Sequence, residues 1–403
     1  MKVPLLDLKP QLESLHGEIL EAVTRVVEST RYIMGPEIEN LEKEIAEYCG
    51  TADAVGVSSG TDALLLSLMA LDIGPGDLVL TTDFSFFATA GVISRLNATP
   101  VFLDIDPENW NLDPVQLEQK LDSMSSDDRK RVKAIIVVHL YGQSAEMKPL
   151  LDCAEKYGIP VIEDAAQAIG AECRLNGSPR KVGSMGTFGC FSFFPSKNLG
   201  GIGDGGIITV QDPELASILR LKRVHGGEKK YYHRVIGGNF RLDPIQAAVI
   251  RVKLPHLNSW HRKRRENALY YNQLFEKAGL APKVLTPPEL HDSELNFPHI
   301  YNQYVIRAEK RDELREFLLE SECATEVYYP VPFHLQECFS DLEWGAGTLK
   351  HSEHAANTVL ALPIFPELTR EMQDYLVEQL EALIIPMQDH LKKMEKTNSK
   401  TDL

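Results

Sequence analysis

Apolar runs rich in β-branched residues alternate with amphipathic segments from about residue 36 to residue 250. This alternation predicts strands separated by helices, and it favours an α/β layer whose largely parallel sheet is buried on both faces. The predicted helices are Pro36–Tyr48, Thr61–Leu71, Pro114–Asp122 and Ala145–Lys156. The predicted strands are Ala54–Ser58, Leu78–Thr82, Pro100–Asp104, Ala134–His139, Pro160–Asp164, Gly189–Phe193 and Gly206–Val210.

The pattern changes after Arg251, where a long charged segment over about residues 257 to 278 predicts a solvent-exposed connecting helix. A shorter α+β pattern follows a proline-rich stretch. The prolines of that stretch are Pro282, Pro287, Pro288 and Pro298, and the predicted elements after it are strands Gln303–Ile306 and Ala324–Tyr328 and helices Arg311–Leu319 and Arg370–Leu383. We therefore predict a large domain over residues 1–255, a smaller α+β domain over 256–390 and a polar tail over 391–403.

Composition excludes several classes of protein. The 403 residues include 42 Lys and Arg against 58 Asp and Glu, and this net charge of −16 argues against nucleic acid as a partner. A local basic patch can still bind a small anion. No apolar run has the length of a membrane helix, and the N-terminus is too polar for a signal peptide. The six scattered cysteines are typical of reduced thiols in a cytoplasmic protein, and no metal cluster is visible.

The first candidate site combines a strand ending at Ser58, a turn at Gly60 and a helix from Thr61. Free N–H groups at a helix N-terminus bind phosphate, and a glycine lets the backbone approach the anion closely. Asp62 would offer its backbone N–H, with its carboxylate turned away. An ordinary helix cap without a ligand is the alternative interpretation.

Asp164 is the second candidate, because it stands where an apolar strand ends. Ligands of open α/β sheets bind at the carboxyl edge of the strands. A carboxylate there favours the protonated form of a nearby heterocyclic nitrogen, since opposite charges stabilise each other. The alternative is an aspartate that caps the next helix.

Lys197 is the third candidate, because it follows a run of aromatic residues and precedes a glycine-rich stretch. Apolar surroundings lower the pKa of a lysine and supply a neutral, nucleophilic amine. A solvated lysine on a flexible loop is the alternative. A fourth motif over residues 237–243, which includes Asn239 and Arg241, is a loop and a helix cap when taken alone.

Six motifs stand in a characteristic order: SGTDAL, FSFFAT, HLYGQ, EDAAQA, SFFPSKNLGGIGDGG and GGNFRLDPIQAA. Together they resemble the sugar aminotransferases of the DegT/DnrJ/EryC1/StrS family over nearly the whole chain. The resemblance implies pyridoxal 5′-phosphate as cofactor and the fold type I aminotransferase architecture, in which the large domain contains a mostly parallel seven-stranded sheet. It also implies a homodimer with active sites at the subunit interface.

The resemblance assigns roles to individual residues. Lys197 matches the lysine that forms the internal aldimine, Asp164 the acid at the pyridinium nitrogen, and Gln167 the residue beside the 3-hydroxyl. Phe86 aligns with the aromatic residue that stacks on the ring. The residues that match the phosphate site are Thr61, Asp62 and Ser192, with Asn239 reaching it from the partner subunit. Gly60 joins them as the turn residue described above.

The reaction implied by the resemblance is a ping-pong transfer of an amino group, from L-glutamate to a nucleotide-linked keto-sugar in amino-sugar biosynthesis. The stretch from Arg223 to Arg234 is similar to members that aminate C3 of a UDP- or dTDP-hexose. Amination at C4 and a non-catalytic regulatory protein that binds the cofactor are the alternatives. Related sugar dehydrases carry His at the position of Lys197, which argues against that activity.

Four residues are predicted to contact the substrate: Arg241, Tyr328, Tyr329 and His334. Arg241 matches a substrate-contacting position of similar enzymes. Family members often have His where this chain has Tyr328, a departure that is consistent with a different substituent at C5 of the sugar.

Overall fold

The computed structural model describes residues 1–280, 284–285, 295–342 and 344–383. Pro282, Pro287 and Pro288 of the predicted proline-rich stretch and the predicted tail 391–403 lie outside the described residues. The helices are α1 Lys9–Ser29, α2 Pro36–Cys49, α3 Gly60–Ala70, α4 Ala88–Arg95, α5 Pro114–Ser123, α6 Ser126–Arg131, α7 Met147–Tyr157, α8 Pro213–Arg223, α9 Pro244–Lys253, α10 Leu257–Lys277, α11 Arg311–Glu320 and α12 Lys350–Thr358.

The strands fall into one large sheet, one small sheet and two hairpins. They are β1 Asp53–Val57, β2 Leu78–Thr82, β3 Thr99–Leu103, β4 Val132–Val138, β5 Val161–Asp164, β6 Glu172–Leu175, β7 Ser178–Lys181, β8 Phe188–Ser192, β9 Gly206–Val210, β10 Gly227–Lys229, β11 Tyr232–His233, β12 Val284–Leu285, β13 Tyr304–Ala308 and β14 Val359–Leu362.

The large sheet has seven strands in the order β1-β9-β8-β5-β4-β2-β3. The pairs β2–β3, β2–β4, β4–β5 and β5–β8 are parallel, and only β9 runs against its neighbours β1 and β8. The predicted mostly parallel, seven-stranded sheet is thus confirmed. Because the parallel strands end at one edge, Asp164 and Ser192 reach that edge from adjacent strands.

Alternate residues of β4 explain why both faces of the sheet are covered. Ala134 and Ile136 pack in one apolar cluster with α3 and α8. Ile135 and Val137 pack in another cluster with α5 and α7. Since side chains on a strand alternate between faces, an unbroken apolar run needs helices on both sides, which is the arrangement that the sequence predicts.

The small sheet pairs β13 antiparallel with β12 and β14, and a helix that begins at residue 370 continues through residue 383. The predicted strand Ala324–Tyr328 was wrong. Within this segment only Glu326 makes an isolated pair, with Ala361, and the preceding Cys323 pairs with Val3. The chain then continues into the lining of the cavity described below.

The predicted solvent exposure of the charged helix was also wrong for one face of α10. Trp260, Tyr271 and Phe275 are buried there, at 7%, 0% and 0% exposure. Tyr271 and Phe275, four residues apart, pack against Tyr304 of the small sheet. The charged residues lie between these apolar positions, and α10 therefore anchors the small sheet instead of only connecting it. None of the described helices is both long enough and apolar enough to cross a membrane.

Candidate active site

A cavity of about 730 Å³ opens at the carboxyl edge of the parallel strands. Its walls come from the large sheet and from the segment 326–336 beside the small sheet. The structure thus brings together, around one cavity, residues that the sequence places far apart. The predicted site residues in the wall are Gly60, Thr61, Phe86, Asp164, Gln167, Ser192, Lys197, Tyr328 and Tyr329.

The N-terminus of α3 forms one end of this cavity. A Cβ atom on Gly60 would lie 2.7 Å from Cβ of Ser192, so only glycine lets these two segments approach so closely. The side chain of Ser59 accepts a hydrogen bond from the Asp62 N–H at 3.0 Å. The backbone N–H of Asp62, which the sequence assigned to a phosphate, is therefore already paired. Ser59, Gly60 and Thr61 of this helix end line the cavity.

Asp164 ends β5 and lies at the cavity wall with 5% of its surface exposed. Its Oδ2 accepts a hydrogen bond from Thr89 Oγ1 at 2.7 Å, and its Oδ1 accepts one from the Ala166 N–H at 3.3 Å. Burial raises the pKa of the Asp164 carboxyl, whereas these two hydrogen bonds and the charge of Lys197 act to lower it.

The neighbouring carboxylate, Glu163, points to the other face of β5. Its Oε2 lies 3.0 Å from Nε2 of buried His139, whose Nδ1 accepts the Ala145 N–H. Nε2 therefore carries the proton of a neutral imidazole, because Nδ1 acts as acceptor. Glu163 also accepts three backbone N–H groups, from Gly183, Met185 and Gly186 at 2.7, 2.7 and 2.6 Å. Glu163 is thus a structural carboxylate, and Asp164 alone of this pair faces the cavity.

Lys197 lies in the cavity wall in the loop after β8. Burial lowers the pKa of its ammonium group to about 8, and the charge of Asp164 raises it. A lysine with this pKa supplies far more neutral amine near neutral pH than an exposed lysine does. The predicted combination of a nucleophilic amine and a carboxylate is therefore present in one cavity.

Gln167 is held in one orientation by Tyr141, which the sequence did not predict as a site residue, and by the predicted residue Tyr329. The Tyr141 N–H donates to Gln167 Oε1 at 2.8 Å, and Gln167 Nε2 donates to the Tyr329 hydroxyl at 2.9 Å. The Tyr141 hydroxyl donates to the backbone oxygen of Tyr328. These bonds join the HLYGQ motif, through Tyr141, to the segment of Tyr328 and Tyr329 beside the small sheet. The ring of Tyr329 also lies 6.2 Å from that of Phe86, centroid to centroid.

Two predicted residues, Asn239 and Arg241, lie away from this cavity. Asn239 is exposed and pairs through its backbone with Val224, and Arg241 pairs through its backbone with Val57 at the end of β1. Neither side chain belongs to the wall.

His334 also does not line the cavity, although the sequence suggested a substrate contact. Its side chain is fully buried, with Nδ1 at 2.6 Å from Asp83 Oδ2 and Nε2 at 3.2 Å from Glu353 Oε1. The backbone N–H of His334 donates to Asp83 Oδ1 at 2.8 Å. Hydrogen bonding to Asp83 and Glu353 raises the pKa of His334 against the opposing effect of burial. His334 therefore fastens the cavity-lining segment to the end of β2, and this geometry gives no support for a substrate contact.

These residues fit pyridoxal phosphate at three points. A helix N-terminus with close glycine packing is suited to the phosphate, a strand-end carboxylate to the ring nitrogen, and a lysine of lowered pKa to the aldehyde carbon. Among the described residues there is no group of three or more metal-ligating side chains.

The model of the DegT/DnrJ/EryC1/StrS aminotransferase family matches residues 13–381 of the chain. The chain belongs to this family. It is a pyridoxal-phosphate-dependent aminotransferase with the fold type I architecture.

Three relatives illustrate the range of names within the family. A pleiotropic regulatory protein of Geobacillus stearothermophilus is 48% identical, over 94% of this chain and 98% of the relative. The dTDP-3-amino-3,4,6-trideoxy-α-D-glucose transaminase of Streptomyces venezuelae is 41% identical, over 92% and 93%. The UDP-N-acetyl-3-dehydro-α-D-glucosamine 3-aminotransferase of Acidithiobacillus ferrooxidans is 40% identical, over 92% and 94%.

A solved structure shows the same fold at similar identity. The structure of S. venezuelae DesV in complex with a ketimine intermediate has a TM-score of 0.87 to this chain and is 40% identical. The match covers 94% of this chain and 98% of the DesV chain.

The lowered pKa of Lys197 predicts how this aminotransferase takes up its cofactor. Only the neutral amine attacks the aldehyde, so the rate at which cofactor-free protein combines with pyridoxal phosphate should rise with pH and level off above about 8. The appearance of visible absorbance after mixing measures this rate. Asp164→Asn removes a charge that raises the Lys197 pKa, so the inflection should move to lower pH. A rate that still climbs toward the ordinary lysine pKa of about 10.4 would contradict the prediction.

Proposed function

We propose that this aminotransferase aminates C3 of a nucleotide-linked 3-keto-hexose. The observation that supports the proposal is that Lys197, Asp164 and the N-terminus of α3 line one cavity. The position of the carbonyl is inferred from the names of two relatives, at 41% and 40% identity, which both place the transferred amine at C3. The nucleotide differs between these relatives, and either UDP or dTDP is consistent with the proposal.

Lys197 is the proposed catalytic base and acid. Its amine, with a pKa of about 8, is well matched to take a proton from Cα of the amino donor and to deliver one to C4′ of the cofactor. Pyridoxal phosphate, when bound, supplies the electron sink for the carbanion formed in that proton transfer. Lys197 lines the same cavity as Asp164, which suits it to this proton transfer.

Asp164 is proposed to hold a proton on the ring nitrogen, and Gln167 to bind the ring 3-hydroxyl. Gln167 Nε2 already donates one hydrogen bond to Tyr329, which leaves its second N–H for the cofactor. Gly60, Thr61 and Ser192 are proposed to bind the phosphate. Phe86, 57% exposed at the cavity, is proposed to stack on the ring.

We propose that the working enzyme is a cytoplasmic homodimer. Asn239 and Arg241 lie outside the cavity of their own subunit, which is consistent with a role at the partner's site. Tyr328 and Tyr329 are proposed to contact the sugar, because both line the cavity. L-glutamate is the proposed amino donor.

The first relative named above is a regulatory protein, so a protein that binds the cofactor without turnover is the second candidate. The two transaminases at 41% and 40% identity favour the enzyme. The neutral amine of Lys197 is needed to attach the cofactor in either case. Mixing with L-glutamate separates the two: the visible absorbance of the enzyme changes, and that of a binder does not.

The position of amination is tested with the pyridoxamine-loaded enzyme. It is mixed with UDP- and dTDP-linked 3-keto and 4-keto hexoses, and the return of the pyridoxal absorbance is followed. We expect a 3-keto sugar to react at least about tenfold faster than its 4-keto isomer. A faster reaction with the 4-keto isomer would establish C4 instead.

A further inference from the structure

Two buried hydroxyl groups beside Asp164 have no role in the site described so far, and one of them, Ser85, also lines the cavity. Thr89 of α4 and Ser85 are 0% and 5% exposed. Thr89 Oγ1 lies 2.7 Å from Asp164 Oδ2, and Ser85 Oγ lies 3.1 Å from Thr89 Oγ1. A hydroxyl has one proton and an ionised carboxylate only accepts, so the proton of Thr89 goes to Asp164. Ser85 must then donate to Thr89, and the three groups form a directed chain.

We propose that Thr89, supported by Ser85, is a positioning residue that keeps Asp164 as a carboxylate directed at the ring nitrogen of the cofactor. The proposal rests on the role proposed above for Asp164. Thr89 occupies Oδ2, and the Ala166 N–H contacts Oδ1. Because both oxygens are held by the protein, the carboxylate cannot rotate without losing a hydrogen bond in a buried place.

The hydrogen bond from Thr89 to Asp164 affects the protonation state of this buried carboxyl. Burial favours the neutral form of Asp164, and hydrogen bonds to the charged form oppose that effect. A neutral Asp164 has no charge with which to stabilise a proton on the ring. The hydrogen bond from Thr89, which the bond from Ser85 strengthens, therefore affects protonation of the ring nitrogen through the charge of Asp164.

Four variants separate this role from simple packing. Thr89→Val removes the hydroxyl and keeps the shape, Thr89→Ser restores a donor, and Ser85→Ala removes the supporting donor. Thr81→Val is the matched control. Thr81 is also fully buried and donates to the Ile136 oxygen at 3.0 Å, but it does not line the cavity or contact Asp164.

Two readouts are used, both on the loaded protein. The first is the rate of the half-reaction with L-glutamate, which involves no sugar. The second is the ¹⁵N chemical shift of cofactor labelled at its ring nitrogen, followed against pH, which reports protonation of that atom without turnover. We expect Thr89→Val to slow the half-reaction roughly ten- to a hundred-fold and to let the ring nitrogen lose its proton at lower pH.

Thr89→Ser should stay within about threefold of the wild type, and Ser85→Ala should change both readouts in the direction of Thr89→Val by a smaller amount. Thr81→Val should change neither readout. A Thr89→Val protein with wild-type rate and ring-nitrogen titration would overturn the proposal. If Thr89→Val does not fold, Ser85→Ala decides, since wild-type behaviour in both of its readouts would also overturn it.

Asp164→Asn distinguishes failure of this proposal from failure of the function on which it rests. If Asp164→Asn leaves the ring nitrogen protonated and the half-reaction unchanged, the role proposed for Asp164 is wrong. If Asp164→Asn changes both readouts and Thr89→Val changes neither, only the role of Thr89 is wrong.

Discussion

Alanine in place of Lys197 is expected to abolish turnover, with a loss of at least about 10⁴-fold, because the variant has no group that can move the proton between Cα and C4′. The visible absorbance that depends on the lysine should disappear as well. Steady-state amine transfer and an absorbance spectrum of the loaded protein check both parts.

Lys222→Met is the matched control for this variant. Lys222 is also a largely buried lysine, and its Nζ bonds to Asp72 at 2.8 Å away from the cavity. The Lys222→Met protein should be less stable than the wild type but should transfer amine at a similar rate. A Lys197→Ala protein that folds and transfers amine at a comparable rate would contradict the assignment of the catalytic lysine.

Asparagine in place of Asp164 is expected to slow the glutamate half-reaction by roughly 10²–10³-fold, because the amide carries no charge to hold a proton on the ring nitrogen. Rapid mixing with L-glutamate measures the rate. Asp164→Glu keeps the charge and changes its position, so it should retain more activity than the amide if charge is the main requirement.

Asp104→Asn provides a matched control at the neighbouring edge of the sheet. Asp104 follows β3 as Asp164 ends β5, and it is 6% exposed. Its oxygens accept from the backbone of His351 and Ser352 in α12, and it is not part of the cavity wall. We expect the Asp104→Asn protein to react with L-glutamate at a rate near that of the wild type. Equal losses in the two asparagine variants would mean that any buried strand-end carboxylate is needed for folding.

Local patterns predicted the large sheet because each of its strands is an apolar run that must be covered on both faces. The same reasoning failed for Ala324–Tyr328, whose residues suit a strand but find only isolated partners. It also missed β14, a short run directly after α12. Pairing partners decide whether such a segment becomes a strand, and they are distant in the sequence.

The residues of the candidate site also differ in whether the sequence could predict them. Lys197 and Asp164 were identifiable because each belongs to a contiguous motif with a chemical purpose. Thr89 was not, because its partner is 75 residues away, although FSFFAT contained it. His334 was a candidate substrate contact in the sequence, but in the structure its side chain pairs with Asp83, 251 positions earlier, in the interior. Sequence patterns identify reactive groups more readily than the residues that hold them.

The cavity is lined by residues as far apart in the chain as Ser59 and Gln336. They come from the strand ends of the large sheet and from the segment 326–336 beside the small sheet. Contacts of such long range are costly in chain entropy and form late in folding. The cofactor site therefore exists only when the large and small sheets are assembled together. By mass action, a ligand that binds only this assembled state stabilises all of it. Cofactor occupancy and the stability of the small sheet are thus linked. Depletion of the cofactor should lower the unfolding temperature of the small sheet, although no strand of that sheet lines the cavity.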